Sequence, residues 1–225
     1  MEPIIKTKNL SKQFTETSVI THALTDINFT LTKGEFVSIM GPSGCGKTSL
    51  LNILGMIDSP SSGSYTFDGI ETTSLSERKL TKLRKGNIGF IFQSFNLIDE
   101  LTVLENIEIA LQYIDISRKD RKMRTEQALE SVKLSHKRNA LPQHLSGGQQ
   151  QKIAIARSIA IDPRLILADE PTGNLDSQNG KEIMDLLQMF HEGGTSIIMV
   201  THSERDASYA QRKITLFDGK IINGQ

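Results

Sequence analysis

A single cysteine, Cys45, stands in 225 residues, so no internal disulfide braces this chain. Charge of neither sign is in surplus: 26 Lys and Arg balance 26 Asp and Glu. A nucleic-acid binder generally carries a basic excess, so that class loses ground. No apolar run approaches the roughly 18 residues that a membrane-crossing helix needs. The opening Met1-Glu-Pro-Ile-Ile-Lys6 lacks the charged-then-apolar pattern of a secretion signal. Internal repeats and low-complexity tracts are also missing. With 37% apolar and 23% charged residues, the balance is that of an ordinary globular protein. These absences lead us to expect a soluble, cytosolic chain, one large α/β domain or a core with one or two small lobes.

What is present begins with Gly41, Pro42, Ser43, Gly44, Cys45, Gly46, Lys47 and Thr48. An apolar run, Phe36-Val-Ser-Ile-Met40, reads as a buried strand before it; Ser49-Leu-Leu-Asn-Ile-Leu54 reads as a helix after it. Strand, glycine-rich turn and helix form the setting in which G-x-x-x-x-G-K-[ST] cradles phosphate. The glycines let backbone N–H groups converge on one anion, and the helix N-terminus adds partial positive charge. Lys47 supplies a full charge for the β- and γ-phosphates, and Thr48 a hydroxyl for Mg²⁺. A tight turn that merely holds glycines and a lysine is the plainer alternative. Motif and flanks together favour a nucleoside-triphosphate site.

Residues 4–10 and 19–31 read as strands of an antiparallel lobe, since Ile27, Phe29 and Leu31 alternate with polar neighbours. Residues 64–68 and 88–92 read as two further strands. A helix-favouring region runs from about residue 104 to 160, with apolar residues at helical spacing in 105–112 and 121–132. Strand character returns at 165–168 and 196–200, with a helix at about 177–191 between them. Alternating strands and helices imply parallel strands with crossover helices.

Two of these strands end in chemistry. Leu165-Ile-Leu-Ala168 is followed by Asp169 and Glu170, two carboxylates at the sheet edge where ligands sit in α/β folds. Asp169 is assigned to the metal and Glu170 to activation of the attacking water; an acidic cap on the next helix is the plainer reading. Residues 196–200 lead to Thr201 and His202. A lone histidine is usually structural, but this position favours contact with a terminal phosphate or the attacking water. Leu145-Ser-Gly-Gly-Gln149 opens a helix for which Ser146 is a suitable N-cap, with Gly147 and Gly148 leaving N–H groups open to a bulky anion. Taken alone, Ser-Gly-Gly would be a linker or a turn.

In this order, the motifs resemble the ATP-binding subunits of ATP-binding-cassette (ABC) transporters, and the resemblance spans essentially the whole chain. It rests on GPSGCGKT at 41–48, Gln93, LSGGQ at 145–149, LILADE at 165–170, NLD at 174–176 and His202. It implies an α/β fold: a phosphate-loop ATPase core with a mostly parallel sheet, an N-terminal antiparallel β lobe and an inserted helical signature subdomain. The chain would be one nucleotide-binding domain over 1–225, with core and β lobe at about 1–93 and 161–225 and the helical subdomain at about 94–160. The resemblance further implies a head-to-tail homodimer sandwiching two ATP molecules. Each ATP would touch residues 41–48 and Ser49 of one copy and Ser146, Gly147, Gly148 and Gln149 of the other. Asp176 would lie at that interface, though it also suits the cap of the following helix. On that resemblance Lys47, Glu170 and His202 would form the catalytic set, and Thr48, Gln93 and Asp169 would hold Mg²⁺. Phe14 matches the aromatic residue that stacks on adenine, with plain packing as its alternative.

Within the family, Phe36-Val-Ser-Ile-Met-Gly-Pro-Ser-Gly44, Gly89-Phe-Ile-Phe-Gln-Ser-Phe-Asn-Leu97 and Asp169-Glu-Pro-Thr-Gly-Asn-Leu-Asp176 are similar to the branch serving macrolide exporters, lipoprotein release and cell division. That branch implies a separate membrane-spanning permease, attachment to the cytoplasmic face of the membrane through it, and export or extraction of a substrate. The main rival is a mechanical ATPase that moves no substrate; a soluble ABC ATPase acting on DNA or ribosomes would usually carry coiled-coil insertions or a second cassette. A nucleotide-binding module without catalysis is disfavoured by Asp169, Glu170 and His202. Alkylation of Cys45 should block nucleotide binding, with bound ATP protecting.

Overall fold

Ile27, Phe29 and Leu31 become the buried face of a long strand in the computed structural model, while Asn28 and Thr30 between them are exposed. The structure describes residues 3–16 and 19–223. In chain order the first elements are β1 (Pro3–Glu16), β2 (Val19–Thr32), β3 (Phe36–Met40), α1 (Lys47–Leu54), β4 (Ser62–Phe67), β5 (Ile70–Glu71) and α2 (Glu77–Arg84). There follow β6 (Ile88–Phe92), α3 (Val103–Leu111), α4 (Arg118–Ser131), α5 (Gly147–Ile159), β7 (Leu165–Asp169) and α6 (Ser177–Glu192). Last come β8 (Ser196–Val200), α7 (Glu204–Ala207), β9 (Arg212–Phe217) and β10 (Lys220–Asn223). The chain divides into two compact units, one running up to Arg84 and resuming at Gly194, the other Lys85–Gly193.

The first unit holds an antiparallel sheet in the order β2-β1-β4-β5. β1 extends beyond the expected residue 10, because its pairing with β2 continues through Gln13↔His22 and Phe14↔Thr21. Tyr65 of β4 is fully buried, and its hydroxyl donates to Leu54 O at 2.6 Å, tying this sheet to the end of α1. Burial pushes that phenol far above its ordinary pKa. β3 pairs in parallel with both β8 and β9, and β10 returns antiparallel to β9. Phe36 to Ile39 and Ser196 to Val200 are all buried. Strands covered on both faces read as near-continuous apolar runs, which is why these two, Ser38 and Ser196 aside, do not alternate.

In the second unit β6 and β7 run parallel, from Ile88↔Leu165 to Phe92↔Asp169. Val103, Ile107 and Leu111 of α3, Leu129 of α4 and Ile153 of α5 are all fully buried in one apolar cluster. Each such side chain contributes about 1.5–3 kcal/mol on leaving water. Thr102 and Glu105 form a reciprocal capping box at the start of α3, and the Ser117 hydroxyl accepts from Asp120 N to cap α4. The charged run after Ser117 is therefore the solvated first turns of a helix, as its composition suggests. No helix of the described residues is long and apolar enough to cross a membrane.

Candidate functional site

β3 delivers the chain into the phosphate loop, and α1 carries it away. Gly46 is the N-cap of α1 at φ 103°, a left-handed conformation, and a Cβ there would stand 2.3 Å from Ala23 O. Gly41 is as tightly held, since its Cβ would meet Leu216 O at 2.1 Å. Gly44 (φ 77°) has open space around it, so conformation alone demands glycine there. Lys47 is buried, and its Nζ donates to Gly41 O at 2.9 Å and Pro42 O at 2.7 Å. Among the described residues no carboxylate pairs with that ammonium. A buried cation held only by carbonyls is costly, and an anion brought to the loop removes the cost. Cys45 is only 4% exposed, with Sγ 3.9 Å from Lys47 Nζ, while Thr48 at the helix start is exposed.

The same unit carries His202, exposed, two residues beyond the end of β8, next to a buried Thr201. Phe14 lies on β1 with 42% of its surface exposed, so it belongs to no core, and Lys12 Nζ stands 4.9 Å from its ring centroid.

In the second unit, β6 and β7 end side by side at Phe92 and Asp169. Glu170, the next residue, is half-buried with a left-handed φ of 46°. Gly173 N donates to Glu170 O at 3.0 Å, turning the chain back after the carboxylates. Gln93 is joined to that turn twice: its Nε2 donates to Asn174 Oδ1 at 3.3 Å, and Asn174 Nδ2 donates to Gln93 O at 3.0 Å. A Cβ on Gly173 would stand 2.7 Å from Gln93 Nε2. The structure thus brings Gln93, Asp169, Glu170 and Asn174 together.

Ser146 caps α5, its hydroxyl accepting from Gln149 N while the Gln149 side chain accepts from Ser146 N. The two glycines differ. A Cβ on Gly147 would touch Leu175 and Phe95 at an ordinary 3.6 Å, but one on Gly148 would stand 2.3 Å from Asn179 Oδ1. Asn179 is in turn held by Asp176, which caps α6: Asn179 N donates to Asp176 Oδ1 at 2.8 Å and Nδ2 to Oδ2 at 2.6 Å. Those donors, the backbone N–H first, hold the Asp176 carboxyl below its usual pKa. Asp176 is exposed, so its cap leaves it open to solvent.

Sequence reasoning passed over Asn179, Gln151 and Arg157. Asn179 carries a signal, an amide three residues after a capping aspartate. Gln151 is a fully buried glutamine within an otherwise apolar helix face, Ile153 to Ala156, and Arg157 closes that same run. Neither partner of these two could be inferred locally, because both bind backbone carbonyls some 20 to 62 positions away. Among the described residues no group of three or more His, Cys, Asp or Glu could hold a metal on its own.

The ABC transporter family matches residues 24–173. The uncharacterized ABC transporter ATP-binding protein MJ1508 of Methanocaldococcus jannaschii is 46% identical over 219 residues, covering 97% of this chain and 98% of that one. The macrolide export ATP-binding/permease protein MacB of Neisseria gonorrhoeae is 42% identical over 220 residues, 98% of this chain but 34% of that protein. Among solved structures, the post-hydrolysis dimer of the ATP-binding cassette MJ0796 bound to ADP and Pi superposes with a TM-score of 0.90 at 43% identity, covering 98% of this chain and 97% of that one; MJ0796 is also from M. jannaschii. The fold is that of the ABC cassette, and the chain belongs to the ABC transporter family as one of its ATPases.

Proposed function

We propose that this chain is the ATP-hydrolysing subunit of a MacB-like membrane complex, powering export or extraction of a substrate through ATP-driven pairing of two copies. The observation that carries the reading is Lys47, a buried ammonium held by two loop carbonyls and by no carboxylate among the described residues. A triphosphate supplies the missing negative charge, with the N–H groups of the loop as further donors. Residues 41–49 hold the phosphates, Phe14 stacks on the base, and Gln149 with Ser146 to Gly148 serves the ATP held by the partner copy. The exposed Asp176 lies at the interface between copies.

Glu170 orients a water for in-line attack on the terminal phosphorus and accepts its proton as the bond to ADP breaks; His202 contacts the phosphate released. Mg²⁺, when bound, would neutralise phosphate charge. The chain's donors for it are Thr48, Gln93 and Asp169, all oxygen ligands suited to a hard cation. The Gln93 amide uses its nitrogen towards Asn174, which leaves its oxygen for such a role. Residues 94–160 serve as the helical signature subdomain of one nucleotide-binding domain, with core and β lobe at 1–93 and 161–225. A permease holds the pair at the cytoplasmic face of the membrane; the combined ATP-binding and permease parts of MacB support that pairing.

The test is Glu170→Gln. The variant should bind Mg-ATP normally and lose most of its turnover, read by phosphate release. Near-normal turnover would remove Glu170 from the mechanism.

A further inference from the structure

Glu170 sits in an uncomfortable place. Its φ of 46° is left-handed, a region that side-chain-bearing residues avoid. It also precedes Pro171, and a residue before proline is pressed towards extended backbone. Such a residue is strained and persists only where its surroundings over-determine it. One hold is the turn itself, through Gly173 N donating to Glu170 O. A second comes from α5. Gln151, 0% exposed, uses both hydrogens of its amide nitrogen: Nε2 donates to Pro171 O at 2.7 Å and to Phe92 O at 3.3 Å. Those carbonyls belong to the residue directly after Glu170 and the residue directly before Gln93. The ladder between β6 and β7 stops at Phe92↔Asp169, so this one amide continues the tie between the two strands beyond their last pair.

α5 makes a second such contact. Arg157 donates through Nη2 to Phe95 O at 3.0 Å and through Nη1 to Asn96 O at 2.5 Å. Phe95 and Asn96 are themselves left-handed, at φ 59° and 51°. The helix that begins at Ser146 therefore fastens both irregular segments of its unit, the one after Glu170 and the one after Gln93. The Oε1 of Gln151 is buried and finds no hydrogen-bond partner. An amide kept so with one acceptor unused is poorly explained by stability alone, because an unsatisfied buried oxygen is unfavourable.

We propose that Gln151 is a positioning residue for hydrolysis: through Pro171 O and Phe92 O it transmits the position of α5 to Glu170 and Gln93. A shift of the signature end of α5 then changes the aim of the water-orienting carboxylate. The inference rests on Glu170 being the residue that orients the water.

The test compares the wild-type chain with Gln151→Met and Gln151→Leu, neither of which can donate a hydrogen bond, and with Glu170→Gln. Affinity for ATP without Mg²⁺ should stay unchanged in the Gln151 variants, since the Gln151 amide donates to Phe92 O and Pro171 O and not to the phosphate loop. Their kcat should fall by about 100-fold, the cost of misplacing a catalytic group by about an ångström. The Gly173 amide, freed with its turn, should exchange with solvent about tenfold faster, equivalent to about 1.4 kcal/mol of lost hold. A melting temperature that falls while kcat and Gly173 exchange stay at wild-type values, measured well below the melt, would leave Gln151 as core packing and overturn the proposal. Should neither variant fold, the wild-type side-chain amide of Gln151 decides by NMR: slow exchange of both hydrogens supports the clamp, and fast exchange refutes it. Normal turnover in Glu170→Gln would instead undo the underlying reading, whatever Gln151 does.

Discussion

The phosphate loop and the signature region are both glycine-rich, yet they are held by opposite means. The loop is fixed by backbone geometry: Gly41 and Gly46 sit where a Cβ would strike a carbonyl, and Lys47 is folded back on its own turn. The signature region is braced by side chains: Asn179 of α6 packs against Gly148, and Gln151 and Arg157 of α5 donate to carbonyls of other segments. A locally determined loop is preorganised for an anion before any partner arrives. A region built on amides and carbonyls can be re-aimed, since its contacts can shift without unfolding a helix. The contrast is between a loop set by its own backbone and a helix whose side-chain contacts can change.

The largest effect that sharpens this contrast is expected at Lys47. Lys47→Ala should weaken Mg-ATP binding by about 100-fold, corresponding to roughly 3 kcal/mol of charge-assisted contact. Calorimetry beside a melting curve checks it; an unchanged affinity would break the comparison at its first term. Next is Gly46→Ala, which places a Cβ 2.3 Å from Ala23 O at a left-handed φ. A loss of about 1–3 kcal/mol in urea unfolding is expected.

The signature glycines offer a finer contrast. Gly148→Ala must displace Asn179 and should cost about 1–3 kcal/mol by overpacking, whereas Gly147→Ala meets only ordinary contacts and should be near neutral for folding. Equal costs at the two positions would mean that Asn179 yields freely.

The smallest effect concerns protons. Asn179 holds the Asp176 carboxyl below its usual pKa, so the α6 cap contributes stability above the carboxylate's unfolded pKa and loses it as pH falls through the folded one. Asn179→Ala removes the side-chain donor but keeps the backbone one. The Asp176 titration, followed by NMR, should move part of the way back up; no movement would show that the backbone N–H acts alone.

How much of this was legible in the sequence follows the same division. The loop could be read because its determinants are neighbours: β3, the glycines and α1 occupy consecutive residues. The ABC cassette fold followed from motif order and the Ser146 cap from its own residue type, while the capping box at Thr102 was passed over although Thr102 and Glu105 have the required spacing. α2 escaped notice because only Leu80 of its eight residues is buried, leaving little apolar period. β9 could have been found, since Ile214 and Leu216 alternate inward. The left-handed φ of Glu170 and the bonds of Gln151 left no local trace, because tertiary contacts impose them.

If two copies complete each other's sites around ATP, as proposed, ATP should hold them together. Sedimentation of the Glu170→Gln chain tests it most directly. With saturating Mg-ATP a dimer is expected, returning to monomer with Mg-ADP; a strictly monomeric chain under saturating Mg-ATP would contradict this pairing.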